Sequence, residues 1–223
     1  MNGRVNHIIG SFISIWKSSH LAKADEPVGT DPQLMCEERA IQSYLMQMEI
    51  LDPLLLLHSW SVAQYTELMA ERLGFTENDK RKLQHSSLVH DLGMLAIQRE
   101  ILEKPGNLTS DEWKFIKAHP LHAVYILSLI SSCREIIPIV KHHHEWYDGT
   151  GYPEGRKGND IPLMSRIITL ADSFVAMTSD RPYRNPWSTD MALFLIQRSS
   201  GVQFDPKLVA PFIEAISGRE MPH

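Results

Sequence analysis

The chain has 223 residues, of which 43% are hydrophobic and 22% are charged, and its formal net charge is -5. This size and composition suit one globular domain with an appendage, and such a domain can bury a full core without disulfides. The negative charge excludes a general attraction to nucleic acid polymers, so an anionic ligand needs local cations. No stretch approaches the roughly 20 apolar residues of a membrane-spanning helix.

The first 33 residues differ in composition from the rest of the chain. Apolar residues recur at helical spacing over residues 1–20 and predict a short amphipathic helix. Acids, prolines and a glycine over residues 21–33 predict a linker, so we place the helical domain over residues 34–218. The two cysteines, Cys36 and Cys133, form no disulfide framework and suit a reducing cytosol, so we expect a cytoplasmic protein.

From residue 34 onward the apolar residues recur at helical spacing, and no alternating run typical of a strand survives. Asp52-Pro53 predicts the start of a long helix, because Asp caps helices and Pro fits the first helical position. Gly74 predicts its end. Ile161-Pro162 begins the most apolar helix of the chain. The sequence therefore predicts an all-α domain.

Residue types that bind metals stand on several of these predicted helices. His90-Asp91 lies at a helix end, and imidazole together with carboxylate suits Fe, Mn, Zn or Ni. The proline after His119 biases that residue away from helical geometry and would present it at a joint. His58 lies on an apolar face, where a histidine is more often only hydrogen-bonded. Asp172 lies in the most apolar helix, where a carboxylate is costly unless it is paired or metal-bound.

The densest group of such residues runs from position 142 to position 153. Three consecutive histidines, His142 to His144, precede Glu145 and the turn-forming segment 148–153, which reads DGTGYP. Neutral imidazole is the commonest metal ligand, and the turn formers end a helix sharply. We interpret the stretch as a helix, a ligand cluster and a rigid loop. The alternative is a solvated polar helix end.

Taken together, the candidate ligands come from at least five predicted elements. They are His58, His90, Asp91, His119, His143, His144 and Asp172. A mononuclear zinc site needs only three or four ligands, so this number indicates two metal ions. Paired ions suit phosphate-ester hydrolysis, because one activates water and both stabilise charge on the displaced oxygens. Arg181 and Arg184 predict a phosphate clamp, for which the alternative is ordinary surface solvation.

These motifs resemble those of the HD-GYP family, a branch of the HD superfamily of metal-dependent phosphohydrolases. The resemblance rests on His90-Asp91 and on the segment 143–153, which reads H-H-E-x-x-D-G-x-G-Y-P. It covers roughly residues 52–212, including Lys104-Pro105-Gly106 and the segment 179–184, SDRPYR. It implies a helical bundle with a buried di- or trinuclear centre, often iron or manganese. It also implies hydrolysis of the bacterial second messenger cyclic di-GMP to pGpG or GMP.

The resemblance also implies roles for individual residues. The seven candidate ligands would bind the metal ions, and Asp91 would be the catalytic residue that bridges them. The residues implied around the substrate are Arg181, Arg184, Gly151, Tyr152 and Asp148. The arginines would hold phosphate, the glycine and tyrosine would line the mouth of the site, and the aspartate would fix the loop. Glu145 would not bind metal itself but would contact the residues that do.

Three positions depart from the family pattern. Met94 replaces the lysine that usually follows the HD aspartate by three residues, and Val175 replaces a second aspartate. We expect these two residues to form an apolar pair in place of an ion pair. Leu54 stands where some members carry a glutamate for a third metal, which favours two ions.

Two alternatives to cyclic di-GMP hydrolysis stay open, because a fold does not fix a function. One, which Met94 and Val175 favour, is a weakly active or inactive domain that acts as a cyclic dinucleotide receptor or protein-interaction module. The other is hydrolysis of another nucleotide, such as a mixed cyclic dinucleotide. A protein partner could bind through residues 1–33 or through the segment 148–153, which we name the GYP loop.

Overall fold

The computed structural model describes residues 31–180 and 185–218, which contain ten α-helices, three short 3₁₀ helices and no strand. The α-helices are α1 (Pro32–Leu51), α2 (Pro53–Arg72), α3 (Glu77–Val89), α4 (Arg99–Leu102), α5 (Ser110–Lys117), α6 (His119–Ser128), α7 (Ile137–Lys141), α8 (Leu163–Thr178), α9 (Thr189–Arg198) and α10 (Pro206–Ser217). The 3₁₀ helices are Leu92–Ala96, Ser131–Glu135 and Gly158–Asp160. The all-α prediction is confirmed over these ranges. The helix predicted over residues 1–20, together with Arg181 and Arg184, lies outside them.

Side-chain caps explain where several helices begin. Asp52 accepts a hydrogen bond from the Leu55 N–H at 3.0 Å at the start of α2, and Pro53 fills the first helical position. At the start of α5, Thr109 accepts from the Glu112 N–H at 3.3 Å while Glu112 accepts from the Thr109 N–H at 2.7 Å. Because such capping uses residues that are close in sequence, these helix starts were predictable.

Two predicted details of the backbone are wrong. α1 begins at Pro32 after the cap Asp31, so the last two residues of the predicted linker are helical. His119 does not leave helical geometry, since it is the first residue of α6. Pro120 lies in the first turn, where the missing N–H of a proline costs no intrahelical hydrogen bond. The joint between α5 and α6 falls instead at Ala118.

The buried apolar side chains form two clusters. The first includes Phe174 of α8 and Phe212 of α10, and the second includes Met48 of α1 and Leu127 of α6. α2 contributes to both clusters and also carries His58. This helix therefore joins the two clusters. His58 lies on it between Leu56 of the second cluster and Val62 of the first. None of the described helices is long and apolar enough to span a membrane.

The 3₁₀ helix that follows Asp91 packs against α6 through Gly93. A Cβ atom at this position would overlap the carbonyl oxygen of His119 and would lie 2.7 Å from the amide nitrogen of Ala123. Both neighbours are backbone atoms, which cannot rotate away as a side chain can. The absence of a side chain at Gly93 thus sets how closely the turn after Asp91 approaches the start of α6.

We predict that Gly93→Ala lowers the free energy of unfolding by about 3 kcal/mol, because the added methyl group forces two backbone segments apart. Urea unfolding followed by circular dichroism measures this change. Gly218→Ala is the matched control, since its Cβ would lie 3.2 Å from the nearest atom at a helix end with negative φ. Equal loss of stability in the two variants would contradict the packing argument.

Candidate metal centre

The structure brings the seven predicted ligand residues together. They are His58 on α2, His90 and Asp91 after α3, His119 at the start of α6, His143 and His144 after α7, and Asp172 on α8. Two groups of side chains place their ligand atoms within 4.8 Å of one another: Asp91, His119, His143 and His144 form one, and His58, His90 and Asp91 form the other. Asp172 joins the second group through its Oδ1, which lies 3.0 Å from the Nε2 of His58.

Asp91 belongs to both groups, and its two oxygens face different neighbours. Oδ1 lies 3.1 Å from Nε2 of His119 and 3.6 Å from Nε2 of His143. Oδ2 lies 3.4 Å from Nε2 of His90 and 3.8 Å from Nε2 of His58. This division of the carboxylate is the one that a bridge between two cations requires.

Three of the histidines are oriented by backbone carbonyl groups. Nδ1 of His90, His119 and His143 donates to the carbonyl oxygen of Ser87 at 2.7 Å, of Ile116 at 2.7 Å and of Val140 at 2.6 Å, respectively. Because a carbonyl oxygen only accepts, Nδ1 carries the proton in each ring. In the neutral imidazole, Nε2 is then left with a free lone pair that faces Asp91, as is usual for histidines that bind metals.

This arrangement leaves lone pairs facing one another. Nε2 of His119 and Nε2 of His143 are 3.2 Å apart, and the buried Nε2 of His90 has no hydrogen-bond partner among the described residues. Two neutral rings that are both protonated at Nδ1 cannot hydrogen-bond to each other through Nε2. A cation between them satisfies both nitrogens. The donor set of imidazole nitrogen and carboxylate oxygen therefore fits a divalent transition metal.

The charges of the centre also favour a cation. Burial opposes protonation of His90, but the carboxylates of Asp91 and Asp172 outweigh burial and raise its pKa to about 9. Burial similarly opposes ionisation of the two carboxyls, but the surrounding histidines lower the pKa of both. Burial and the neighbouring His143 lower the pKa of His144 well below its ordinary value. Both carboxylates are thus ionised, and His144 is neutral, the form that binds metal. At His90, whose protonated form the carboxylates favour, a metal ion would replace that proton.

Glu145 holds the loop that follows the histidines. Its side chain is buried, at 1% exposure, and accepts the backbone N–H of Glu154 at 2.7 Å and of Arg156 at 3.0 Å. The preceding His142 is also buried, and its Nδ1 lies 3.6 Å from Glu145. Neither residue belongs to the two groups of ligand atoms. Glu145 therefore holds the loop backbone, while His142 contacts the side chains of Glu145 and Glu154.

The GYP loop lies against the histidines. The Tyr152 N–H donates to the carbonyl oxygen of His144 at 3.1 Å, and the two rings stack with centroids 4.8 Å apart. A Cβ at Gly151 would overlap the backbone of Trp146, so only glycine permits this approach. Asp148 accepts both the N–H of Thr150 at 2.9 Å and its hydroxyl at 2.6 Å. These two hydrogen bonds close the turn. Contact between the GYP loop and a substrate stays a prediction.

One supporting residue escaped the sequence analysis. Thr169 is buried on α8 and donates to the carbonyl oxygen of His143 at 2.7 Å, so it ties the ligand segment to the helix that carries Asp172. A sequence signal existed, since Thr169 lies three residues before Asp172. Residues at that spacing share one face of a helix.

Comparison with known proteins agrees with this geometry. Residues 36–208 match a family model described as an HD domain. The chain belongs to the HD domain family. The His-Asp pair for which the HD domain is named corresponds to His90-Asp91, and the predicted resemblance to the HD-GYP branch is confirmed by the curated relatives.

Two curated relatives of this HD domain share substantial sequence with it. The 3′3′-cGAMP-specific phosphodiesterase 3 of Vibrio cholerae serotype O1 is 39% identical over 160 residues, which cover 72% of this chain and 35% of that protein. The cyclic di-GMP phosphodiesterase response regulator RpfG of Xanthomonas campestris pv. campestris is 42% identical over 146 residues, which cover 64% of this chain and 38% of that protein. The chain thus spans about a third to two fifths of the length of these relatives.

Solved structures share the fold. A protein from Bdellovibrio bacteriovorus, described as Bd1817, a HDG"Y"P protein, has a TM-score of 0.61 and 16% identity, with 87% of this chain and 66% of that chain covered. A cyclic GMP-AMP specific phosphodiesterase of V. cholerae has a TM-score of 0.52 and 30% identity, with 82% of this chain and 41% of that chain covered. The helical arrangement of the HD domain is therefore shared with these proteins.

We predict that Glu145→Gln loosens the loop, because a glutamine amide can accept from only one of the two N–H groups and turns an NH₂ group toward the other. The free energy of unfolding should fall by about 1–3 kcal/mol. Amide hydrogen exchange at Glu154 and Arg156 should become faster than in the wild type. Glu103→Gln is the control, since Glu103 is exposed at the end of α4. Unchanged exchange at these two amides would contradict the role given to Glu145.

Proposed function

We propose that this HD domain is a metal-dependent phosphodiesterase that hydrolyses cyclic di-GMP to pGpG, to GMP or to both. The observation that carries the proposal is the position of Asp91, which turns one oxygen toward each of two groups of imidazoles. In the proposal, the seven ligand residues would hold two divalent ions, iron or manganese, with Asp91 available to both as the residue common to the two groups. Leu54 offers no ligand atom where some members of the family carry a glutamate, which supports two ions rather than three.

The two ions, when bound, would stabilise negative charge on the phosphate oxygens and lower the pKa of the attacking water. The remaining work belongs to the chain. The carbonyl oxygens of the last turns of α3, α5 and α7 fix the histidine tautomers, so the imidazoles need no reorientation. Burial of His90 and His143 keeps bulk water away from their nitrogens. Asp91 and Asp172 keep the centre anionic, which draws cations into it.

The substrate side of the proposal rests on the resemblance and on the relatives. In this proposal Arg181 and Arg184 hold phosphate, Gly151 and Tyr152 line the mouth of the site, and Asp148 fixes the loop. Cyclic di-GMP is supported by relatives that are named cyclic di-GMP phosphodiesterases. The 39% identical relative that is specific for 3′3′-cGAMP supports that mixed dinucleotide as the second candidate substrate.

A second candidate function is a cyclic dinucleotide receptor or a protein-interaction module. The observation that favours it is that two positions lack the charged residues usual in the family. Met94, in place of a lysine, is half-buried, and Val175, in place of an aspartate, is buried in the apolar core. The expected contact between these two residues stays a prediction. A protein partner would bind residues 1–33 or the GYP loop. We propose a cytoplasmic location, which the two free cysteines support.

We predict that the purified protein, loaded with Fe²⁺ or Mn²⁺, converts cyclic di-GMP to a linear product that ion-exchange chromatography resolves. The same assay with 3′3′-cGAMP and cyclic di-AMP ranks the substrates by kcat/KM. Metal content is measured on the same sample. Absence of any linear product from a metal-loaded sample would refute the hydrolase, and tight binding without turnover would select the receptor.

We predict that Asp91→Ala loses at least half of the bound metal and lowers turnover at least about 100-fold, because the bridging carboxylate is removed. Metal analysis by mass spectrometry and the hydrolysis assay measure the two effects separately. Asp190→Asn is the control, since Asp190 is exposed in the first turn of α9. Wild-type metal content in Asp91→Ala would show that the ligand assignment is wrong.

A further inference from the structure

We infer that Lys117 is a substrate-binding residue of this site, whose ammonium group contacts a phosphate oxygen of the cyclic dinucleotide. This inference rests on the proposed function, since it names a group that recognises the same substrate. Neither the sequence motifs nor the candidate ligand groups include Lys117.

The position of Lys117 places its charge beside the candidate metal centre. It is the last residue of α5, two residues before His119. Its Nζ lies 5.4 Å from the centroid of the Tyr152 ring, and that ring stacks on His144 with centroids 4.8 Å apart. Since Lys117 is exposed, its ammonium stands at the rim of the centre, where a ligand entering from solvent would meet it.

The charge of Lys117 is also uncommitted, unlike that of three other cations of the domain. Lys141 and Arg156 both pair with Glu154, and these contacts lower the pKa of Glu154 to about 2. Lys104 pairs with Glu112 at 2.6 Å. Within residues 31–180 and 185–218, Lys117 forms no ion pair, and its contact is with an aromatic face. An aromatic ring positions an ammonium group without neutralising its charge.

The substrate needs such a cation. A cyclic dinucleotide carries two phosphodiester groups, each with one negative charge, while the chain has a net charge of -5 and two carboxylates at the centre. Ions held by the seven ligands can stabilise the phosphate at the reaction centre. The other phosphate of the substrate would then need positive side chains, and Lys117 would serve it beside the proposed Arg181 and Arg184. Lysine is a point-charge binder of phosphate, and its flexible stem lets the ammonium follow the ligand.

The test compares Lys117→Met, Lys117→Arg and Lys114→Met in the metal-loaded protein. Lys114 is the matched control, because it is exposed on the same helix and pairs with Asp111 at 2.8 Å. Lys117→Met should raise KM about tenfold with kcat within about twofold of wild type, the size of one lost charged hydrogen bond. Lys117→Arg should stay within about threefold of wild-type KM, since it keeps the charge. Lys114→Met should leave both parameters unchanged.

Ionic strength provides a readout that packing alone would not move. Added salt should lower kcat/KM of the wild type more steeply than that of Lys117→Met, because screening weakens only a charge that is present. Thermal unfolding of each variant shows whether the fold is retained. Unchanged KM and an unchanged salt dependence in folded Lys117→Met would overturn the inference and leave the proposed function standing.

Equilibrium binding separates this inference from the hydrolase proposal. If the wild type binds cyclic di-GMP without turnover, hydrolysis is refuted. A dissociation constant about tenfold higher in Lys117→Met than in the wild type would still support the inference. An unchanged dissociation constant overturns it. If the metal-loaded wild type neither binds nor hydrolyses cyclic di-GMP, 3′3′-cGAMP or cyclic di-AMP, the inference and the proposed function both fail.

Discussion

Two carboxylates, Asp91 and Asp172, lie among five histidines where α2, α6, α8 and the segments after α3 and α7 meet. Charges in such a place are costly unless opposite charges or hydrogen-bond donors surround them. The imidazoles can supply only part of this, since three of them spend their Nδ1 protons on backbone carbonyls. The remaining requirement is for positive charge, and it constrains five separate elements of the chain to meet at one point.

The carbonyl groups that orient these histidines explain why the candidate ligands follow helix ends. The last four carbonyls of a helix have no intrahelical donor. Ser87, Ile116 and Val140 lie in the last turns of α3, α5 and α7, and each accepts from a histidine three residues later. The helix end thus gains a donor while the ring gains a fixed tautomer. One local arrangement, repeated three times, satisfies the backbone and prepares the site.

The parts of this structure that the sequence predicts are those decided by neighbours along the chain. Helix starts at Pro53 and Ser110 follow from local capping, and the ligand types at His90-Asp91 are visible as a pair. Contacts between distant segments decide the rest. A side chain at Gly93 would overlap backbone atoms of α6, and Thr169 donates a hydrogen bond to a carbonyl group 26 residues earlier. His119 stays helical because Pro120 falls in the first turn of α6, a boundary that the dipeptide alone does not reveal.

The apolar residues at Met94 and Val175 bear on the same balance of charge. Val175 packs in the core cluster with Phe174, and a carboxylate there would be buried among apolar side chains at a high cost in stability. Asp172 contacts His58, and within the described ranges the carboxylates of the centre are ones that imidazoles face. Position 175 has no buried acid that would need a cation beside it. Methionine can therefore replace lysine at position 94 without leaving a buried acid unpaired. In our proposal, Lys117 at the rim of the site supplies a cation for phosphate recognition that position 94 does not.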